Sequence, residues 1–354
     1  MRAWAVVENG QPLKELELPT PEPKGTEVLI EVTHCGVCHS DLHIWEGYYD
    51  IGGGQKMNLT DRGVVLPLAM GHEIVGRVVK LGPDATGVKV GDLRIVYPWL
   101  GCGTCETCLA EEDNMCTVAA RSLGVYANGG YGTHVIAPHP RHLVDPGTLD
   151  PAVAATYACS GITVYSAIKK VMPIAKHEAI VLVGAGGLGL NAIEVLKALG
   201  HEHIISVDIS AEKRAAALKA GAHKVVDGTG DGATKRIIEA AGGPVLAVVD
   251  LVNGTQTARF AFAALRKGGK LVQVGLFGGE LMLPLPIMAI RALTVQGSYV
   301  GNPKELRELV KLAQAGTLTA LPVATVPQSQ AYDALMRLRD GKVTGRLVLK
   351  AKAA

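Results

Sequence analysis

The feature that most constrains this chain is a change of hydrophobic period beyond Cys159. An apolar run, AIVLVG (179 to 184), is followed by a helical pattern to Leu199, and then by a second strand-like run, HIISVD (203 to 208). Runs of four to six apolar residues alternating with helix-length amphipathic stretches predict parallel strands joined by crossover helices. The alternation continues with a helix at about 211–220, KVVD, a helix near 234–241, AVVDLV, a helix near 255–265 and GKLVQVG. Such a chain folds as a doubly wound sheet covered on both faces. Near the end, Asn302 reads as an N-cap, with Pro303 at the first helical position and Glu305 at the third. They start a helix to about Ala315, and GRLVLK is the last strand-like segment.

The first 150 residues read differently. Short apolar strands such as EVLIEV (27 to 32) and EIVGRVVKLG (73 to 82), broken by Gly and Pro, predict a β-rich half. The stretch 50–63, with three consecutive glycines, reads as a long loop near a site entrance or a subunit contact. With 354 residues, 48% hydrophobic and 19% charged, the chain can bury two cores. The expected boundaries are residues 1–157 with 300–354 for the β-rich domain, and 158–299 for the doubly wound one.

A net charge of +2, with no basic block, argues against nucleic acid or an anionic membrane as partner and leaves a small molecule as the default. The amino-terminal residues form no apolar stretch of signal-peptide length, and no run is long enough to span a membrane, so a cytoplasmic protein is expected.

Cysteine supplies the sharpest local signal. Four of the seven cysteines lie in GCGTCETCLAEEDNMC, as Cys102, Cys105, Cys108 and Cys116. Four thiolates at this spacing suit one tetrahedral zinc with no open position, which is a structural site. Disulfides or free thiols are the alternative, disfavoured in a reducing compartment. A second, dispersed set comprises HCGVCHSDLH (34 to 43), GHE (71 to 73) and Cys159 in YACSGIT. Two sulfurs and one imidazole would leave one position open, as a catalytic zinc requires. Spacing alone leaves Cys35 and Cys38 equal as ligands, and a lone Cys159 could equally be a small core residue.

The third signal is VLVGAGGLG opening a helix, with Gly184, Gly186, Gly187, Leu188 and Gly189 in the dinucleotide pattern. The glycines let the backbone approach a pyrophosphate at the helix N-terminus. Asp208 ends the next strand about 20 residues on, where it can accept ribose hydroxyls and repel a 2′-phosphate, which favours NAD over NADP.

In this order, the three elements resemble the zinc-containing medium-chain alcohol dehydrogenase family over essentially the whole chain. GVCHSDLH, LPLAMGHEIVG, YPW and CSGITVY are most similar to its microbial, NAD-dependent, typically homotetrameric branch. The resemblance implies a Rossmann domain plus a β-rich GroES-like catalytic domain carrying a structural zinc lobe. It also implies two zinc ions per chain and NAD as cofactor. It resolves the ambiguity at the metal: Cys38, His72 and Cys159 become the catalytic ligands, and Cys35 falls back to packing.

It further implies Glu73 as a carboxylate near the metal and Asp41 as the partner orienting His72; the alternative is a pair of solvated acids. Ser40 and His43 match the family's proton relay, in which an imidazole near neutrality takes the hydroxyl proton toward water. For the cofactor, Lys213 matches the position assisting the adenosine ribose, and His39 and Arg346 match positions meeting the phosphates. Thr163 and the Val274-Gly275-Leu276 turn are expected beside the nicotinamide, and Val252 is a further expected cofactor contact. Trp99, Trp45 and Leu276 are the expected pocket walls, which favours apolar alcohols, including aromatic or cyclic ones. A polyol or sugar dehydrogenase of the same superfamily, or a non-catalytic NAD-binding zinc protein, are the rival readings.

Overall fold

A computed structural model describes residues 1–119, 121–319 and 321–351. Six strands between Ile180 and Gly297 form one parallel sheet. Their spatial order is Lys224–Asp227, Ile204–Asp208, Ile180–Val183, Val245–Asp250, Leu265–Gln273 and Thr294–Gly297. All four residues of Ile180–Val183 are buried, as expected of a strand covered by helices on both faces. The chain moves outward in one direction from this strand and then returns to its other side. This reversal opens a crevice at the carboxyl ends of Ile180–Val183 and Val245–Asp250. The glycine turn lies there, and the helix Gly187–Ala198 follows it.

The β-rich half is built on Val28–Gly36. This strand pairs antiparallel with Glu73–Leu81 on one side and with Arg346–Lys350 on the other. The strand Val323–Pro327 lies parallel beside Arg346–Lys350, so the end of the chain completes a sheet begun at its start. Register brings Gly36 opposite Glu73. Any side chain at Gly36 would collide with that carboxylate, because a Cβ there would stand 1.8 Å from Glu73 Oε2. Glycine at this position is therefore what lets Glu73 point inward.

The two halves are joined through Pro151–Thr156, a π-turn over Tyr157–Gly161, and the helix Ile162–Val171. Asp150 caps the first of these by accepting from the Ala152 N–H at 2.7 Å, with Pro151 at the first position. The Asn302 cap forms as anticipated, with Asn302 Oδ1 accepting from the Glu305 N–H at 2.8 Å and the helix running Pro303–Gln314.

One expectation fails. The 50–63 stretch is not a plain loop: Tyr48–Gly52 and Gln55–Asn58 form a β-hairpin, followed by a short 3₁₀ turn at Thr60–Arg62. The glycine run that suggested irregularity makes the hairpin turn itself, with Gly52, Gly53 and Gly54 all at positive φ. The hairpin reaches the parallel-sheet half, where Gly278 packs on Asp50 and Gly52 on Gly279 and Glu280.

Candidate active site

The helix His39–Glu46 starts directly after Cys38 and has two jobs. Its third residue, Asp41, folds back so that Oδ2 accepts the Cys38 N–H at 2.9 Å, and this fixes Cys38 at the helix entrance. Asp41 also accepts from the Gly71 N–H (3.3 Å) and the Tyr131 hydroxyl (3.3 Å), and it stands 3.4 Å from His72 Nδ1. Asp41, His72 and Glu73 are all fully buried, so the alternative of solvated acids is excluded.

Cys38, His72 and Cys159 each offer one ligand atom, and the three lie within 4.8 Å of one another; the two sulfurs are 3.9 Å apart. His72 Nδ1 faces Asp41, while Nε2, equally buried, has no hydrogen-bond partner among the described residues. A buried imidazole with an unsatisfied nitrogen carries a desolvation cost that a metal ion would relieve. Hydrogen bonding from Cys159 holds the Cys38 thiol well below the usual range, and the Cys159 thiol rises correspondingly. Burial opposes a charge on His72, but Asp41 and Cys38 outweigh it and raise its pKa. Sulfur, nitrogen and charge thus all suit a zinc ion with an open position.

Glu73 Oε1 pairs with Arg346 Nη2 at 2.5 Å and accepts the Ser160 N–H at 3.1 Å. Burial pushes the Glu73 carboxyl up to about 7, against the opposing pull of Arg346. Arg346, anticipated at the phosphates, is therefore held by Glu73. Its side chain also lies against the glycine turn, where a Cβ on Gly187 would meet Arg346 Cδ at 2.8 Å.

Ser40 Oγ is 4.0 Å from the Cys38 sulfur. His43 lies one turn further on the same helix, half-buried, with its ring 4.7 Å from that of Tyr49. Partial burial lowers its pKa. His39 is lowered too, first by desolvation and further by Arg346, His43 and Lys213, with Cys38 opposing.

At the glycine turn, Gly189 packs so tightly that a Cβ would stand 2.0 Å from Gly184 O, and Gly184 itself has φ +97°. Asp208 Oδ2 accepts the Ala185 N–H at 2.8 Å, and Oδ1 accepts from Ser210 at 2.9 Å, so the carboxylate is locked onto the turn. Val252 touches the same turn and Val274 is buried, whereas Leu276 is exposed. Thr163 Oγ1 is buried without a partner.

The tryptophans separate. Trp99 stands 5.0 Å from the His72 ring and donates to Ala158 O at 3.1 Å. Trp45 is not brought to the site: its indole N–H goes to Gln11 O at 2.7 Å and its ring faces Tyr332, so it is packing. Three tyrosines that sequence reasoning missed gather instead. Tyr299 faces Trp99 at 5.9 Å and Tyr49 covers His43. Tyr126 lines an open depression of about 720 Å³ shared with Asp61, Arg62 and Arg121. Tyr299 stays about half exposed, and partial desolvation of its phenol, with the charges of Tyr126 and Cys159 adding to it, raises it to about 12. Only the proximity of GHE to YPW hinted at an aromatic wall here.

The second cluster is a separate lobe. Cys102, Cys105, Cys108 and Cys116 lie within 4.8 Å of one another, with sulfur pairs 3.9 Å apart, too long for disulfides. Backbone N–H groups of Thr104 and Cys105 pull the Cys102 thiol down to about 5. Buried Asp113 anchors the lobe through Arg141 (2.6 Å) and His142 (3.2 Å). Asn114 donates to Tyr299 O at 3.0 Å, tying the lobe to the aromatic wall.

A glycine-turn parallel-sheet half beside a buried sulfur and imidazole triad defines a zinc- and dinucleotide-binding oxidoreductase class. Comparison with known proteins narrows it. Residues 24–146 match the alcohol dehydrogenase GroES-like domain, and residues 187–315 match the zinc-binding dehydrogenase model. The chain is 37% identical over 352 residues to an NAD-dependent alcohol dehydrogenase of Sulfurisphaera tokodaii, covering 99% of each. It superposes on the alcohol dehydrogenase of Aeropyrum pernix with a TM-score of 0.89 at 30% identity, covering 99% of this chain and 100% of that one. The D-arabinose dehydrogenase of Sulfolobus solfataricus is also similar, with a TM-score of 0.83 at 27% identity, covering 99% and 98%. The chain belongs to the zinc-containing alcohol dehydrogenase family.

Proposed function

We propose that this chain is a zinc-dependent, NAD-linked dehydrogenase that interconverts primary or secondary alcohols with aldehydes or ketones. The observation that carries the reading is the buried triad of Cys38, His72 and Cys159, with His72 Nδ1 against Asp41 and Nε2 without a hydrogen-bond partner, beside Trp99. Zinc supplies Lewis acidity toward the alcohol oxygen when bound, and NAD supplies the hydride acceptor.

The chain's own groups divide the remaining work. Asp41 orients His72, and Glu73 with Arg346 sets the charge beside the triad. Ser40 and His43, one helical turn apart, carry the hydroxyl proton outward, and Tyr49 shelters the imidazole. Asp208, held by the Ala185 N–H of the turn and by the Ser210 N–H, selects the ribose hydroxyls with Lys213 assisting; His39 and Arg346 serve the phosphates. Gly184, Gly186, Gly187, Leu188 and Gly189 cradle the pyrophosphate, with Thr163, Val252, Val274 and Leu276 at the nicotinamide. Cys102, Cys105, Cys108 and Cys116 hold the structural zinc. The reading divides the chain at 1–157 with 300–354, and 158–299.

The pocket wall favours flat or cyclic apolar alcohols, and the phenols of Tyr49, Tyr126 and Tyr299 add hydrogen-bonding groups toward its mouth. The sugar-dehydrogenase reading draws on those same phenols. We further infer a cytoplasmic homotetramer. Among the described residues no helix is long and apolar enough to cross a membrane. Exposed Phe277, Met282, Leu285 and Ile290, near the edge strand Thr294–Gly297, supply an apolar surface for subunit contact.

Initial rates of NAD reduction with aliphatic, cyclic, benzylic and polyol substrates, repeated with NADP and after zinc removal, test the function. Zinc-dependent turnover of apolar alcohols with NAD supports it. Turnover of polyols alone moves the assignment to the sugar branch, and tight NAD binding without turnover leaves a non-catalytic binding protein.

A further inference from the structure

Asn191 is a buried amide on the helix Gly187–Ala198, whose neighbours Leu190, Ala192 and Ile193 are buried and apolar. Burying an amide carries a desolvation cost, so its hydrogen bonds need accounting for. Its Nδ2 donates to Ser160 Oγ at 3.1 Å. Ser160 spends its own hydroxyl proton on Thr156 O at 2.9 Å, which leaves the oxygen lone pairs facing Asn191. The Ser160 N–H meanwhile donates to Glu73 Oε1 at 3.1 Å. Ser160 sits in the π-turn Tyr157–Gly161, immediately after Cys159.

These contacts close a ring. The glycine turn abuts Arg346, Arg346 pairs with Glu73, Glu73 holds Ser160, and Ser160 is held by Asn191 on the helix that the glycine turn opens. The Arg346 arm is a charged pair. The Asn191 arm is a single neutral hydrogen bond on the turn carrying a triad sulfur, and it can be removed without touching a charge or a ligand.

We propose that Asn191 is a positioning residue: through Ser160 it ties the helix at the dinucleotide turn to the turn bearing Cys159, so that dinucleotide occupancy and triad geometry depend on each other. The inference rests on the zinc and NAD reading above. A pyrophosphate docking at the N-terminus of Gly187–Ala198 biases that helix, and the bias reaches Cys159 most directly through the Asn191–Ser160 hydrogen bond, the Arg346–Glu73 arm reaching Ser160 from the other side. Linkage makes the effect reciprocal: what NAD does to metal retention, metal does to NAD affinity.

The test uses enzyme with cobalt exchanged into the triad. Its visible absorption band and its release to a chelator are followed with and without NAD, in the wild type, Asn191→Leu, Ser160→Ala and Ser160→Thr. In the wild type, NAD shifts the band and slows release by a factor within the roughly 5- to 150-fold range of coupled sites. Asn191→Leu and Ser160→Ala bring that factor below about 2 while still binding NAD, and Ser160→Thr, which keeps the hydroxyl, restores it. Wild-type coupling in a folded Asn191→Leu or Ser160→Ala protein overturns the proposal; should the leucine variant not fold, the Ser160 pair decides. A wild type that takes no metal at the triad, or no NAD, sinks the functional reading instead.

Discussion

Both cysteine clusters set pairs of sulfurs 3.9 Å apart, yet they reach that spacing by opposite routes. The four-thiolate lobe takes all its ligands from residues 102–116, on short turns that sit partly exposed, and binds itself to the body through Asp113, Asn114 and Glu112. The triad draws one ligand from the start of a helix, one from the residue before a long strand, and one from a π-turn. All three are buried. Closed and local, the lobe holds structure together. Open and assembled from distant segments, the triad holds a reactive position, and its neighbours Asp41, Glu73 and Arg346 are there for charge and orientation.

Breaking one ligand in each cluster should give opposite signatures. Cys38→Ser is expected to lower kcat at least about 10⁴-fold, with NAD affinity by fluorescence titration and thermal midpoint little changed. Retained turnover would remove Cys38 from the metal. Cys105→Ser should instead cost about 3 kcal/mol of stability, read from denaturant unfolding, while the remaining folded fraction keeps near wild-type kcat. Equal losses of kcat in both variants would erase the distinction drawn here.

A smaller effect sharpens the triad side. His43→Ala should slow alcohol oxidation about 100-fold. The base form of His43 is the neutral one, and burial lowers its pKa. The wild-type rate should therefore rise with pH and level off below the ordinary histidine range, and the variant should lose that limb. A profile unchanged by the substitution would exclude His43 from the relay. The smallest change is expected at the aromatic wall. Tyr299→Leu should alter kcat/KM about 10-fold, in favour of plain over hydroxylated benzylic alcohols, and should leave zinc content unchanged.

What could be seen in the sequence follows the same division. The four-cysteine lobe, the glycine turn with Asp208 and the capped helix at Asn302 were legible, because each is written in residues close along the chain. Family resemblance was needed to choose Cys38 over Cys35; in the structure Cys35 lies between strands, packed on Gly71 and Gly130. The hairpin was misread because glycines signal irregularity and tight hairpin turns alike. Trp45 was misassigned and Tyr49, Tyr126 and Tyr299 were overlooked for one reason. Which aromatic ring faces a cleft depends on helix rotation and strand register, and no spacing rule encodes them. The Glu73 and Arg346 pair was likewise invisible, since it joins opposite ends of the chain.

That pair rides on Arg346–Lys350, a strand laid beside Val28–Gly36 although it is made long after it. On the ribosome, the early segments can collapse and even gather Cys38, His72 and Cys159 while Glu73 still lacks its guanidinium. The reactive centre thus cannot be complete until the strand carrying Arg346, made after all three triad ligands, has docked beside Val28–Gly36. A nascent chain stalled before Arg346 would carry the ligands without the charge that balances them.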